Sequence, residues 1–269
     1  MAGSAVPQSG VATVTPTSPV FPREPLTPGE VRELWAFLHG DIMVGGIRQL
    51  LRASLGLCPR HAWGYAVVEV ELWIDGAGSR GGHQPFDVCV LYTDLLEQVV
   101  SRLRARRSGG RGSLVARLAR QGPCRVCAAL GPDLDGGPVT FAGSNSAELT
   151  AEANALRFTR QWLIETRPVW ERRRCPACVD QPDPTSDAGD PRVWCLRHLT
   201  RPGAPAQVSA TGLADYLAGV GVRLDALGRS MRQGAPAPSS AENASWVEAL
   251  GWFAGWEFPC WLTSPEAGS

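Results

Sequence analysis

Lysine is missing from this chain of 269 residues, so its 26 basic side chains are all arginine. With 26 acidic residues opposing them, the formal net charge is zero. A neutral chain has no long-range field to gather nucleic acid or an anionic membrane, so any such partner has to be argued from a local patch. The missing lysine, with abundant Ala, Gly, Pro and Arg, reads as a GC-rich coding bias before it reads as function. Long apolar runs are missing too. No window reaches the roughly 18 to 20 apolar residues of a membrane span, and Glu69 and Glu71 break the run from Val67 to Ile74. The segment before Arg23, the first basic residue, is rich in Pro, Ser, Thr and Gly and has neither part of a secretory signal. A cytoplasmic location is therefore the expectation. In a reducing compartment, paired cysteines are more often metal ligands or redox groups than disulfides.

Strand-like alternation is scarce as well. Val67 to Trp73 is the one stretch that shows it, and a helix fits its flanks equally well. The fold expected is mainly α, a helical bundle with zinc-knuckle turns set between helices. Pro7, Pro16, Pro19 and Pro22 mark residues 1–24 as a disordered arm. One helical zinc-binding domain is expected over 25–262, with a possible sub-boundary near 128–145, and a tail over 263–269.

Thr27-Pro28-Gly29-Glu30 is a capping box with proline at the first helical position, and predicts a helix to about Leu38. His39-Gly40-Asp41 interrupts it, a second helix runs to about Ser54, and Pro59 starts the helix carrying His61, Trp63, Val67, Val70 and Ile74. Asp75 to Gly82 is a glycine-rich loop. Pro85 opens a helix with Val88, Tyr92, Leu95, Val99 and Leu103 on one face. Residues 146–167 read as one long helix with Leu149, Ala153, Leu156 and Leu163 on a stripe, which Pro168 should kink or end. Leu213, Leu217, Val220, Leu224, Leu227 and Met231 make the clearest amphipathic helix. A last helix carries Trp246, Leu250, Phe253 and Trp256.

Chemistry is concentrated in four short pairs: Cys58 with His61, Cys124 with Cys127, Cys175 with Cys178, and Cys195 with His198. Such a turn lets two side chains converge on one ion without backbone strain, and two turns complete a tetrahedron. Eight ligands suit two closed zinc sites. Sixteen residues separate the last two pairs, which is the length of a zinc-finger loop, whereas 62 residues separate the first two and a helical hairpin must return the chain. An interleaved pairing of 58/61 with 175/178 stays open. Histidine in half of the pairs argues against iron–sulfur ligation, and no βαβ pattern supports a dithiol redox role for Cys175 and Cys178. Gly122-Pro123-Cys124-Arg125-Val126-Cys127 resembles half of a zinc nucleobase deaminase motif. The other half, His-x-Glu, is missing, because Asp41, Trp63, Pro85 and Thr200 follow the four histidines at that distance.

His83, Glu69 and Glu71 are the acid–base candidates if a metal-dependent reaction is catalysed. Cys89 and Cys260, with no partner at metal spacing, are expected to be buried apolar residues. Seven arginines and no acidic residue fall between Arg102 and Arg120, so Arg102, Arg104, Arg106, Arg107 and Arg111 form a candidate contact for anions or an acidic partner. Arg172, Arg173 and Arg174 add charge before Cys175, but no aromatic residues are interleaved for base stacking. Trp246, Trp252, Trp256 and Trp261 read as core docking or, more sharply, as a partner groove.

Gly-Leu-Cys-Pro-Arg-His-Ala-Trp at 56–63, Val-Leu-Tyr-Thr-Asp-Leu-Leu at 90–96 and the later Cys-x-x-Cys turns resemble an uncharacterised group of bacterial helical proteins with the same kinds of pair. The resemblance spans most of residues 27–262 and implies a soluble bacterial, actinobacterial protein with no known activity. The function expected is a zinc-stabilised interaction or regulatory protein with an unidentified protein partner. A metal-dependent enzyme of a small-molecule pathway is the first alternative, and a nucleic-acid-binding protein the second.

Overall fold

The structure, a computed structural model, describes residues 24–40, 42, 44–72, 82–105, 111–130, 145–178, 193–201 and 208–265. The expected arm before residue 24, nearly all of the glycine-rich loop after Asp75, the linker between Cys178 and Val193, and Arg106 and Arg107 lie outside these. Among the described residues the chain is mainly helical, with no strand.

Helix α1 (Pro28–His39) starts on the capping box: Glu30 N donates to Thr27 Oγ1 at 3.2 Å and Thr27 N donates to Glu30 Oε2 at 2.8 Å. Helix α2 (Gly45–Ser54) ends where Leu55 takes a left-handed conformation, φ 51°, and Gly56 follows at φ 83°. That reversal delivers Cys58 to the start of α3 (Pro59–Leu72).

Every residue of α3 from Arg60 to Leu72 is buried. Helices α1, α4 (Phe86–Arg104), α7 (Ser146–Ala155), α8 (Arg157–Trp170) and α11 (Ser240–Ala254) all pack around it. A helix covered on every side needs no polar stripe, which is why Val67 to Trp73 carries no helical period. The amphipathic stripe of α10 (Ala210–Ser230) packs along α4 and α11.

Two expected helices divide differently. Residues 146–167 are not one helix: Leu156 adopts φ 54°, ψ 26°, and separates α7 from α8. The cause lies in α3, where the buried Glu71 carboxylate accepts from Arg157 N at 3.1 Å, Phe158 N at 3.4 Å and Thr159 N at 2.7 Å. These amides would have bonded to α7 carbonyls in a continuous helix; the carboxylate makes them a helix N-terminus instead. Pro168 neither ends nor breaks α8, which runs to Trp170. The carbonyl it deprives of a donor belongs to Ile164, an exposed residue.

The last expected helix also stops early. Helix α11 ends at Ala254, Gly255 takes φ 95°, and Trp256 folds back to precede α12 (Glu257–Leu262). Trp256 lies flush against Gly251, where a Cβ would come within 2.5 Å of its ring. Trp246, Trp252 and Trp256 are fully buried, with Trp63 edge-on to Trp246 and Trp170 stacked on Trp256. These tryptophans are core, and the partner-groove reading is corrected for them. Trp261 is partly buried against the same core.

Candidate metal centres

The chain gathers its four pairs into two clusters, Cys58, His61, Cys124 and Cys127 in one and Cys175, Cys178, Cys195 and His198 in the other. Within each, all ligand atoms lie within 4.8 Å of one another. Sequential pairing is therefore the arrangement found, and the interleaved one is excluded.

The first centre is built by backbone punctuation. Cys58 stands just before α3 and its carbonyl accepts from Ala62 N at 2.8 Å, so His61 is on the first turn of that helix. Helix α4 carries the chain away and α5 (Arg111–Arg117) begins its return. Gln121 N donates to Ala53 O at 3.0 Å and Arg120 Nη1 to Leu57 O at 2.9 Å, which pins the returning strand of chain beside Cys58. Gly122, at φ 86°, then turns it into Cys124, the residue preceding α6 (Arg125–Ala129). His61 Nδ1 lies 3.3 Å from Cys58 Sγ, 3.6 Å from Cys124 Sγ and 3.3 Å from Cys127 Sγ, and the Cys58 and Cys127 sulfurs are 3.8 Å apart.

At the second centre, α8 passes through a 3₁₀ turn (Glu171–Arg173) into Cys175, and a second such turn (Pro176–Cys178) presents Cys178. Helix α9 (Leu196–Leu199) supplies His198, with Cys195 at its N-cap and Leu196 and Leu199 buried beneath. His198 Nδ1 is 3.5 Å from Cys175 Sγ, 3.4 Å from Cys178 Sγ and 3.2 Å from Cys195 Sγ, with 3.7 Å between the Cys178 and Cys195 sulfurs. A tetrahedral zinc with Zn–S about 2.3 Å and Zn–N about 2.0 Å places sulfurs about 3.8 Å apart and sulfur from nitrogen about 3.5 Å. In the two clusters the sulfur–nitrogen edges of 3.2 to 3.6 Å and the sulfur–sulfur edges of 3.7 and 3.8 Å match these lengths. Each therefore fits one tetrahedral ion held by three sulfurs and one imidazole nitrogen.

Crowded thiols cannot all ionise without a cation among them. Cys124 accepts a hydrogen bond from Cys58, which holds its thiol down at about 3 and pushes that of Cys58 up. Likewise, hydrogen bonds from Cys178 and Cys195 hold the Cys175 thiol down at about 2, while Cys195 is pushed up to about 12. A divalent ion removes this conflict because each ligand must be deprotonated to bind. The centres differ in cover: Cys127 is exposed, whereas Cys175 and Cys195 are fully buried.

Behind His61 is a carboxylate that sequence reading used only as a helix cap. His61 Nε2 lies 3.0 Å from Glu30 Oε1, and Arg60 donates to both Glu30 oxygens, Nε to Oε1 at 2.5 Å and Nη2 to Oε2 at 2.7 Å. Burial alone would raise the Glu30 carboxyl; the bonds from His61 and Arg60 carry it well below the usual range. An ionised carboxylate only accepts, so His61 Nε2 carries the proton and Nδ1 offers its lone pair to the cluster. The available sequence signal was that a capping box occupies one carboxylate oxygen and leaves the other free.

The remaining candidates are engaged elsewhere. Glu69 accepts from Asp87 N at 2.5 Å and Val88 N at 2.8 Å, capping α4, and burial pushes its carboxyl above the usual range. His83, at φ 64°, donates from Nδ1 to Val70 O at 2.7 Å and stacks on Phe158 with ring centroids 3.3 Å apart. Arg102 donates to Arg52 O, Arg104 pairs with Asp215 at 3.0 Å, and Arg117 donates to Leu103 O; the side chain of Arg111 is outside the described residues. Arg174 pairs with Glu171 and donates to Cys260 Sγ at 3.7 Å, so Cys260 is partly buried and polar in its contacts, while Cys89 is buried as expected. No helix among the described residues is long and apolar enough to cross a membrane. Comparison with protein families, with curated proteins and with solved structures finds no match.

Proposed function

We propose that each centre holds one structural zinc and that the protein is a non-enzymatic, zinc-stabilised interaction or regulatory protein of the bacterial cytoplasm. The observation that carries this reading is the closed donor set. Three sulfurs and a nitrogen fill a tetrahedron at each centre, and a zinc so enclosed has no position left for water or substrate. Soft thiolate ligands with imidazole favour zinc over magnesium, calcium or manganese. Three thiolates and a divalent cation leave one negative charge per centre, and at the first the guanidinium of Arg120, which donates to Leu57 O, lies near enough to Cys58 and Cys124 to oppose it electrostatically.

A metal-dependent enzyme would need an acid–base group beside an open metal position, and Glu69, Glu71 and His83 are instead committed to helix ends. Elemental analysis of the purified chain tests the reading: two zinc ions per chain are expected. After cobalt substitution, both centres should give the intense visible bands of tetrahedral thiolate-bound Co(II). A single, readily exchanged metal with a five-coordinate spectrum overturns the structural assignment.

A further inference from the structure

We infer that the first metal centre and the strap of chain at residues 24–27 form one coupled unit, with Glu30 as the positioning residue that joins them. This rests on the zinc reading above and extends it to residues that do not touch the metal. Four groups converge on the Glu30 carboxylate: His61 Nε2, Arg60 Nε, Arg60 Nη2 and the amide of Thr27. Arg60 reaches further, donating Nη1 to Glu24 O at 3.0 Å and Nη2 to Pro25 O at 2.9 Å. The next residue of the strap is held by α7, where Asn154 accepts from Leu26 N and donates to Leu26 O, both at 2.9 Å. Leu26 itself is buried over Gly64, where even a Cβ would come within 3.1 Å of its side chain.

The physical link runs through one imidazole. A metal on Nδ1 withdraws electron density from the ring and strengthens the hydrogen bond from Nε2–H to a carboxylate; the carboxylate in return fixes the ring plane and raises its basicity. Glu30 can keep that orientation only while Arg60 and the Thr27 amide hold its oxygens. The same Arg60 holds the strap, so the ordering of residues 24–27 and the aim of His61 depend on one another. His198, the corresponding nitrogen ligand of the second centre, has no carboxylate among its described hydrogen-bond partners. The second centre therefore serves as an internal reference in the same molecule.

Two measurements on the full chain test the coupling. Glutamine keeps the capping box but removes the charge facing His61, so Glu30→Gln should weaken zinc binding at the first centre by roughly 10- to 100-fold, the range for an outer-shell carboxylate. Competition with a chromogenic chelator reads this as one of two zincs released early while the other keeps its wild-type affinity. If Glu30→Gln does not fold, Cys127→Ser, which alters an exposed ligand, replaces it. In that variant, amide exchange at Leu26 and Thr27 should speed up at least tenfold over zinc-loaded wild type, with Thr159, held by Glu71, unchanged. Equal weakening of both centres, no weakening of either, or unchanged exchange at Leu26 and Thr27 overturns the coupling alone. A wild-type chain that binds no zinc overturns it together with the structural-zinc reading.

Discussion

A carboxylate buried with no basic partner among the described residues must find its compensation in backbone amides, and Glu71 does so with the first amides of α8. Glu71→Ala leaves those amides without an acceptor, that of Thr159 in a buried setting, a loss of about 1–3 kcal/mol. Urea denaturation should register it as a lower midpoint while the zinc content stays at the wild-type value; loss of zinc in step with stability would contradict a purely capping role. Glycines give a second test at this scale. Gly251→Ala drives a methyl into the Trp256 ring, whereas Gly221→Ala meets Leu96 at an ordinary 3.8 Å. The first should cost about 1–3 kcal/mol through overpacking, and the second should stabilise α10 by about 0.5–1 kcal/mol. Thermal melts of the two variants should move in opposite directions. Neither the cap nor the ring contact can be read from sequence, because Glu71 lies 86 positions or more from the amides it caps and a tight glycine looks like any other. The acid–base role suggested for Glu69 and Glu71 came from their chemistry alone; what decides is which helix end each one meets.

Helix ends written in local chemistry were legible and those imposed by the fold were not. The capping box of α1 and the three-and-four spacing of α10 involve near neighbours, so both appear in the sequence. The break at Leu156 is imposed by α3, and the early stop of α11 by the glycine that lets Trp256 turn back. Helix α3 lost its period because its neighbours cover every face. The metal pairs were readable for the same reason as the capping box: the two ligands of each are three positions apart. Which pairs combine depends on where α2, α5 and the turn at Gly122 return the chain. These supports make the centres unequal. Cys127 is exposed and the first centre joins pairs with 62 residues between them, while Cys175 and Cys195 of the second are fully buried. A high-affinity chelator should therefore remove zinc in two phases, the fast one from the first centre. Cys127→Ser should abolish the fast phase and leave the slow one, as a metallochromic indicator would record; a single phase of two equivalents would contradict the difference in cover.

At the scale of the whole molecule, zinc bound as proposed would contribute much relative to what a domain has to spare. Structural zinc contributes about 10 to 16 kcal/mol of apparent binding free energy at neutral pH, against a net stability of about 5 to 15 kcal/mol for an ordinary domain. Both centres stand at chain segments that enclose the core. The first ties α3, the helix buried on all sides, to α6, and the second follows α8, whose Trp170 is stacked on Trp256. With zinc bound as proposed, removing both ions would leave six thiolates and two imidazoles to repel or protonate, and the segments they join would lose their closure. Local helix propensity survives such a loss better than side-chain packing does. Complete chelation should accordingly keep much of the far-ultraviolet helical signal, abolish the near-ultraviolet signal of the packed tryptophans and shift their emission to the red. Two equivalents of zinc should restore both signals, and magnesium should restore neither. A chain whose tryptophan emission and melting temperature stay the same after both zincs are gone would show that packing around α3 suffices, and that the centres serve something other than the fold.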